Sequence, residues 1–202
     1  MRLGVLGSGK GSNMAALADA ARDAASPYEI AVVLSDVAGA GILARAAERG
    51  LPGEFIPPGS FRTKLDEEAE ARFVARLQAA AVDYVVLAGF MRILKGDFLK
   101  AFTDRVINIH PSLLPSFPGL EAWRQALEYG VKVTGCTVHF VDQGVDTGAI
   151  IAQETVPVLA GDTAAVLHER IQLAERNLYP KALRWIAEGK CHVEGRRCAV
   201  RA

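Results

Sequence analysis

Two polar residues alternate with apolar ones in the segment Val106-Ile107-Asn108-Ile109-His110-Pro111. Because alternate residues of a strand point to the same side, Asn108 and His110 share one face. Histidine transfers protons near neutral pH, and an asparagine amide donates a hydrogen bond to a developing oxyanion. The pair therefore predicts acyl-type chemistry through a tetrahedral intermediate. For a histidine taken alone, a hydrogen bond to a backbone carbonyl is the simpler explanation.

The place of this pair at the end of a predicted strand favours the functional interpretation. Pro111 keeps the preceding residue extended and ends the strand there. In open α/β sheets, ligands bind at the carboxyl ends of the strands. Ser112 follows directly and is a conceivable nucleophile, but it lacks the Gly-x-Ser-x-Gly elbow. A serine hydrolase is therefore not favoured.

An acidic loop, residues 142–148, follows the next predicted strand and reads Asp-Gln-Gly-Val-Asp-Thr-Gly. Turn chemistry alone explains aspartates and glycines in such a place. The functional alternative is that one carboxylate faces His110, because a nearby carboxylate stabilises a cationic imidazole. From the loop alone the turn interpretation is the stronger.

A glycine-rich loop, residues 7–13, lies between the first predicted strand and a helix and reads Gly-Ser-Gly-Lys-Gly-Ser-Asn. Its spacing fits neither a Walker loop nor a dinucleotide-binding fingerprint. Glycines allow close approach of the backbone, and free amides at a helix start suit an anion, so a phosphate is the natural ligand. The alternative is a simple turn in which Ser12 or Asn13 caps the helix.

Alternating elements position these residues in the first half of the chain. Strands are predicted at 2–6, 29–34, 53–56, 83–88 and 105–109. Helices are predicted from the glycine loop to 25 and at 41–49, 63–80 and 96–102. This alternation predicts an α/β fold with an open, mostly parallel, twisted sheet and helices on both faces.

The second half of the chain changes pattern. A loop at 111–119 and a helix at 120–129 precede two strands, 134–141 and 149–156, with no helix between them. Those strands predict an antiparallel C-terminal extension of the sheet. A helix at 163–188 follows, and one further short strand is expected beyond Gly189. We expect a single domain over 1–202.

Composition excludes several classes of protein. The 23 basic and 23 acidic residues balance, so nothing suggests a nucleic acid or membrane surface as a partner. No window approaches the apolar length of a membrane span. The odd set of Cys136, Cys191 and Cys198 lacks metal-site or redox spacing, which predicts reduced cysteines in a cytoplasmic protein.

The motifs taken together resemble the phosphoribosylglycinamide formyltransferase family of purine synthesis. They are Gly9-x-Gly11-Ser12-Asn13, Leu87-Ala88-Gly89-Phe90-Met91-Arg92-Ile93-Leu94, Asn108-Ile109-His110-Pro111-Ser112-Leu113-Leu114-Pro115 and Val145-Asp146-Thr147-Gly148, in that order. The resemblance extends from Arg2 to about Glu188. It implies a Rossmann-like formyltransferase fold that transfers a formyl group from 10-formyltetrahydrofolate, as co-substrate, to the amine of glycinamide ribonucleotide, without a metal.

The resemblance also implies a role for particular residues. The catalytic residues are Asn108, His110 and Asp146. The substrate-binding residues are Gly11, Ser12 and Asn13, which hold the phosphate, and Glu175 on the last helix. The folate-binding residues are Lys64, Met91, Arg92, Ile93, Leu94, Asn108, Asp142, Gln143, Gly144, Val145 and Asp146. The partners are small molecules only, and the enzyme is expected to be a monomer or homodimer.

Four positions depart from the family pattern, and one of them is Ala149, which stands where a proline is common. Lys64 stands where an arginine is frequent, and Glu121 and Trp123 stand where histidines are frequent. Two related activities remain as alternatives: formyl transfer to initiator tRNA, for which further domain length and a basic surplus would be expected, and hydrolysis of formyl-folate. A non-catalytic phosphate-binding module is the alternative from a different class.

Overall fold

The computed structural model describes residues 1–201 of the chain. These residues divide into two compact units, Met1–Ile107 and a second unit that begins at Asn108. The expectation of a single domain over 1–202 stays a prediction.

The first unit is built on parallel strands. In chain order it comprises β1 (Arg2–Leu6), α1 (Ser12–Ala21), β2 (Glu29–Ser35), α2 (Gly41–Ala47), β3 (Gly53–Phe55), α3 (Glu67–Ala79), β4 (Tyr84–Leu87) and α4 (Gly96–Ala101). The strand order is β3-β2-β1-β4, and β1 pairs in parallel with both β2 and β4. The loops that follow these three strands therefore leave the sheet at the same edge.

Apolar side chains on both faces hold this sheet in place. Val5, Val33 and Val86 are register partners on one face of the central strands, and Leu6 and Leu34 lie on the other face. All five are fully buried, as expected for strands covered on both sides. A Cβ atom at Gly4 would lie 2.3 Å from a methyl group of Leu77 on α3, so the glycine lets this buried side chain pack directly against β1.

The second unit contains the antiparallel pairs. Strand β5 (Val106–His110) enters it from the first unit, and α5 (Ala122–Tyr129), β6 (Val133–Phe140), β7 (Ile150–Pro157), α6 (Ala164–Ala187), β8 (Cys191–Glu194) and β9 (Arg197–Val200) follow. The strand order is β5-β6-β7-β9-β8, with β6/β7 and β8/β9 antiparallel. The α/β fold, with a mostly parallel sheet and an antiparallel C-terminal extension, is confirmed.

All six helices within residues 1–201 are shorter than predicted, and two of them differ most. Helix α3 begins at Glu67 rather than at 63, because the Asp66 carboxylate accepts a hydrogen bond from the Ala69 amide at 2.9 Å and fixes the N-terminus there. Helix α1 ends at Ala21 rather than 25, although alanines continue beyond it.

The tail was predicted to hold one strand and instead forms the hairpin β8/β9, which turns at Gly195, where φ is 58°. All three cysteines are free in the structure. Among residues 1–201, no helix combines the length and the apolar character that a membrane crossing requires.

Candidate active site

His110, the last residue of β5, is buried and lies between two oxygen acceptors. Its Nε2 atom donates a hydrogen bond to the Phe117 carbonyl at 2.9 Å. Its Nδ1 atom lies 3.4 Å from Oδ2 of Asp146. A carbonyl and a carboxylate only accept hydrogen bonds, so this arrangement suits an imidazole with protons on both nitrogens.

Asp146 is held firmly by its loop. It adopts φ of 55°, a left-handed conformation that aspartate tolerates better than most residues. The Gly119 amide donates to Oδ2 at 2.8 Å, which fixes the carboxylate beside His110. Its side chain is only 12% exposed, so water screens its charge weakly.

The rest of the acidic loop is shaped by its own contacts. Asp142 accepts hydrogen bonds from the Gly144 amide at 3.0 Å and the Thr147 hydroxyl at 2.6 Å, which is the turn chemistry expected of an aspartate. A Cβ at Gly148 would lie 1.8 Å from the Phe140 carbonyl oxygen, so only glycine fits there. Gln143, Gly144 and Val145 are exposed.

Asn108, two residues before His110 on β5, bonds to a second histidine that sequence analysis missed. Its amide Nδ2 lies 3.2 Å from Nε2 of His139 on β6. The same Nε2 lies 3.7 Å from Oδ1 of Asp146. His139 is 1% exposed, whereas Asn108 is partly exposed. The register of β6 against β7 shifts between Val138 and His139, and such irregularities re-aim side chains near active sites.

Burial controls the charge of His139. Burial lowers the pKa of His139, because the cation would lose its hydration; the Phe140 carbonyl and Asp146 oppose this, and His110 adds to it. His139 is therefore neutral at neutral pH.

The loop between β5 and α5 is fixed by buried hydroxyl groups. Ser112 is fully buried and donates to the carbonyls of Ser116 at 2.5 Å and Phe117 at 3.2 Å. Thr137 on β6 donates to the Ser112 carbonyl at 2.7 Å and accepts from the Leu114 amide at 3.0 Å. These contacts give Ser112 a structural role, which agrees with the expectation that it is not a nucleophile.

Glu175 on α6 is 5% exposed, which is unusual for a carboxylate. Burial and then the charge of Glu175 raise the pKa of the Tyr179 phenol well above its ordinary value. The same two causes, in the same order, raise the pKa of the Cys136 thiol to about 12. Both groups are therefore neutral at physiological pH and unsuited to act as nucleophiles.

Glu121 and Trp123, which depart from the family pattern, also lie in this unit. Glu121 precedes α5 with φ of 53° and pairs with Arg124 at 3.1 Å. The Trp123 indole stacks on the His168 imidazole, with ring centroids 3.6 Å apart and an interplanar angle of 2°. Glu121 thus has an ion-pair partner and Trp123 a stacking partner.

The glycine loop of the first unit turns sharply into α1. Gly11 occupies the N-cap position with φ of 77°, and a Cβ there would lie 2.5 Å from the Ile42 Cα, so no other residue fits. The prediction that Ser12 or Asn13 caps the helix is wrong, because both lie inside α1 and no side chain within the described residues caps its first turn. The first amides of α1 thus lack the side-chain acceptor that a capped helix has, which suits an anion.

A buried ion pair joins the loops that follow β1, β2 and β4. Asp36, directly after β2, accepts from Nε of Arg92 at 2.7 Å and from the Ser8 hydroxyl at 2.5 Å. The Ser8 hydroxyl accepts in turn from the Met91 amide at 2.9 Å. The Asp36 side chain is 2% exposed and that of Arg92 is 15% exposed, and Arg92 also donates to the carbonyls of Phe61 and Arg62, so little water reaches this ion pair. Sequence analysis did not identify Ser8 or Asp36.

The segment Met91–Leu94 divides into inward and outward side chains. Arg92 and Leu94 face the protein, whereas the apolar Met91 and Ile93 are 57% and 39% exposed. Ile93 pairs with Lys64 through an isolated bridge, and the Lys64 ammonium lies 4.2 Å from the centre of the Phe61 ring. Lys64 and Ile93 both line a cleft of about 750 Å³ in the first unit.

The family model for formyl transferase matches residues 1–183. The chain belongs to the formyl transferase family. It is 40% identical over 190 residues to the phosphoribosylglycinamide formyltransferase of Escherichia coli, covering 94% of this chain and 89% of the relative. It is 45% identical to the human trifunctional purine biosynthetic protein adenosine-3, covering 99% of this chain and 20% of the relative.

Solved formyl transferase structures agree with this assignment. The glycinamide ribonucleotide transformylase 1 of Symbiobacterium toebii superposes with a TM-score of 0.95 at 50% identity, covering 100% of this chain and 94% of that one. A formyltetrahydrofolate deformylase of Pseudomonas syringae superposes with a TM-score of 0.90 at 28% identity, covering 66% of that chain. The chain spans between 14% and 20% of the length of the trifunctional relatives.

Membership of the formyl transferase family confirms the resemblance drawn from the motifs. In the second unit the structure brings Asn108, His110 and Asp146 into one cluster and adds His139. In the first unit it places Gly11, Ser12 and Asn13 at the start of α1. The roles of these residues stay predictions. Within the described chain, no three His, Cys, Asp or Glu side chains are grouped as metal ligands would be.

Proposed function

We propose that this formyl transferase moves the formyl group of 10-formyltetrahydrofolate to the amine of glycinamide ribonucleotide, in purine biosynthesis. The main support is the cluster of His110, Asp146 and Asn108, in which a carboxylate faces an imidazole and a carboxamide is presented beside them. The family assignment and the names of the relatives support the same reaction.

The reaction begins with attack of the substrate amine on the formyl carbon. Negative charge grows on the formyl oxygen, and the amide of Asn108 and a cationic His110 stabilise it by hydrogen bonds. The bond between the formyl carbon and the folate nitrogen then breaks, and a proton passes from the attacking amine to that nitrogen. The products are N-formylglycinamide ribonucleotide and tetrahydrofolate, with no covalent enzyme intermediate.

In this mechanism Asp146 keeps His110 cationic. It also directs the proton from the nitrogen of the attacking amine to the leaving nitrogen of the folate. The Phe117 carbonyl holds the Nε2 proton of His110 in the structure. His110 must therefore exchange this acceptor for the formyl oxygen when it acts. Phe117 has φ of 53°, a conformation of higher energy for a non-glycine residue, which favours movement of this peptide.

The substrate phosphate is assigned to the glycine loop of the first unit. Gly11, Ser12 and Asn13 supply amides at the start of α1, where the helix dipole favours a dianion. Glu175, an acid at a buried position of α6, is assigned to the substrate because of its place in the family pattern. A buried carboxylate suits a cationic or hydrogen-bond-donating partner.

The folate is assigned to three groups of residues. Exposed apolar side chains at Met91 and Ile93 suit a flat ring, and the Lys64 ammonium suits the carboxylates of the glutamate tail. Asn108, Asp142 and Asp146 with the exposed residues Gln143, Gly144 and Val145 are assigned to the same ligand by their place in the family pattern. Arg92 contributes by its ion pair with Asp36, which holds its loop in place.

We further propose a single formyltransferase domain over 1–202 that acts in the cytoplasm as a monomer or homodimer. Three free cysteines support a reducing compartment. The small-molecule partners follow from the proposed reaction.

Formyl transfer from radiolabelled 10-formyltetrahydrofolate tests the proposal, with and without glycinamide ribonucleotide. We expect label in the ribonucleotide and none released as formate. Release of formate without the acceptor would identify a hydrolase instead, and transfer to initiator tRNA would identify the other related activity. Binding of inorganic phosphate without turnover of any acceptor would leave only a phosphate-binding module.

A further inference from the structure

His139 has a defined proton arrangement that follows from its neighbours. Its Nδ1 atom lies 2.8 Å from the carbonyl oxygen of Phe140, which can only accept a hydrogen bond. Nδ1 therefore bears a proton. A neutral imidazole has one proton, so Nε2 has a free lone pair.

This lone pair faces Asn108. The two candidate partners of Nε2 are the Asn108 Nδ2 amide at 3.2 Å and the Asp146 carboxylate at 3.7 Å. Only the amide can donate to a bare ring nitrogen, and it is the closer. One Nδ2 proton of Asn108 is thus held by His139, and the geminal proton is left for another acceptor on a residue that is itself partly exposed.

We propose that His139 is a positioning residue, which acts as a neutral hydrogen-bond acceptor and fixes the Asn108 carboxamide with its second N–H directed at the formyl oxygen. This inference rests on the proposed formyl transfer. It concerns a residue of β6 that does not itself contact the reacting atoms. Without this acceptor the Asn108 amide could rotate and present its oxygen to the developing oxyanion, which would repel it.

The same arrangement makes the site sensitive to acid. Protonation of His139 would put an N–H against the amide N–H of Asn108, so the carboxamide must turn and its oxygen must accept from Nε2. The charged or titratable groups that face His139 are Asp146 and Asp142 of the acidic loop and His110 of β5, and its opposite on β7 is the apolar Ile150. The two carboxylates favour the cation, and burial and His110 oppose it.

Two substitutions separate positioning from packing. His139→Leu fills a similar volume and removes the hydrogen-bond acceptor. We expect kcat to fall about 10²-fold, as for a displaced catalytic group, and both KM values to change less than about threefold. His139→Gln retains an oxygen near the position of Nε2 and cannot become a cation. We expect its kcat to be at least about tenfold higher than that of His139→Leu. We also expect its pH profile of kcat to lack one acidic inflection that the wild type shows.

Matched controls are available elsewhere in the chain. His192 lies exposed on β8, and His192→Leu and His192→Gln change the same residue types outside the cluster. Thermal unfolding of every variant checks that the fold is retained. Equal kcat values for His139→Leu and wild type would overturn the proposal, as would failure of a folded His139→Gln to exceed His139→Leu.

A spectroscopic measurement on the wild type needs no variant to turn over. Long-range ¹H–¹⁵N correlation of ¹⁵N-histidine-labelled protein reports which ring nitrogen bears the proton, and His139→Gln identifies the signal. Near neutral pH we expect a protonated Nδ1 and a bare Nε2 for His139. A protonated Nε2 would refute the inference. If wild-type protein shows the expected tautomer but transfers no formyl group, the proposed function fails and the proton arrangement of His139 stands.

Discussion

Replacement of Asp146 by asparagine removes one charge and little else. The Gly119 amide keeps an oxygen acceptor, and asparagine tolerates the φ of 55° at this position. At the 3.4 Å separation from His110, two unit charges at an effective dielectric of about 20 interact with about 5 kcal/mol. In the variant, water will restore part of the lost electrostatic stabilisation of His110, because the side chain at position 146 is 12% exposed in the wild type.

A net loss of about 3 to 4 kcal/mol corresponds to a fall of about 10²–10³-fold in kcat. The assay is initial-rate formyl transfer with both substrates saturating, because the lost interaction acts on the transition state rather than on binding. Asp104→Asn is the matched control, since Asp104 is exposed and also has φ of 55°. If Asp146→Asn keeps kcat within about threefold of the wild type and of this control, the charge of Asp146 does not act on His110 as argued here.

Three further predictions concern binding and stability. Gly11→Ala will raise KM for the ribonucleotide at least about tenfold, because a left-handed φ costs alanine about 1–2 kcal/mol and the new Cβ meets the α2 backbone. An unchanged KM for the ribonucleotide, or an equal change in KM for the folate, would contradict the phosphate assignment. Asp36→Ala will lower the free energy of unfolding in urea by about 3 kcal/mol, because it leaves the Arg92 guanidinium, which is only 15% exposed, without its counter-ion. A loss below about 1 kcal/mol would mean that water and the Phe61 and Arg62 carbonyls are sufficient partners for Arg92. Asp162, whose pKa is lowered to about 2 first by a hydrogen bond from Arg170, contributes stability above its unfolded pKa that is lost as the pH falls through about 2. Asp162→Asn should therefore flatten acid unfolding below pH of about 4, and an unchanged acid-unfolding curve would exclude this contribution.

Local sequence patterns predicted the strands of the sheet well. Strand β1 begins and ends where the apolar run Arg2–Leu6 predicts, and β4 lies within the predicted 83–88. These strands are buried on both faces, so their residues are apolar in succession and the pattern is unambiguous. Helix ends were predicted less well, because a cap such as Asp66 depends on one hydrogen bond that charged neighbours conceal.

The cluster in the second unit was only partly predictable. Asn108 and His110 are two apart on one strand, so their common face follows from the sequence. Their closeness to Asp146 depends on how a loop folds and could be expected only from the resemblance. His139 gave only a weak signal, because β6 also contains the polar residues Thr134 and Thr137, and one histidine in a strand is usually a packed core residue. The partnership of Ser8 with Asp36 and Arg92 joins residues up to 84 positions apart and left no local pattern.

The central claim is that a cationic His110 stabilises charge on the formyl oxygen. Its most direct test is the single-turnover rate of formyl transfer, measured by rapid quench for the wild type and for His110→Ala with both substrates bound. We expect a fall of at least about 10²-fold for the variant, the usual effect of losing one oxyanion donor. A variant that transfers the formyl group within about threefold of the wild-type rate would contradict it.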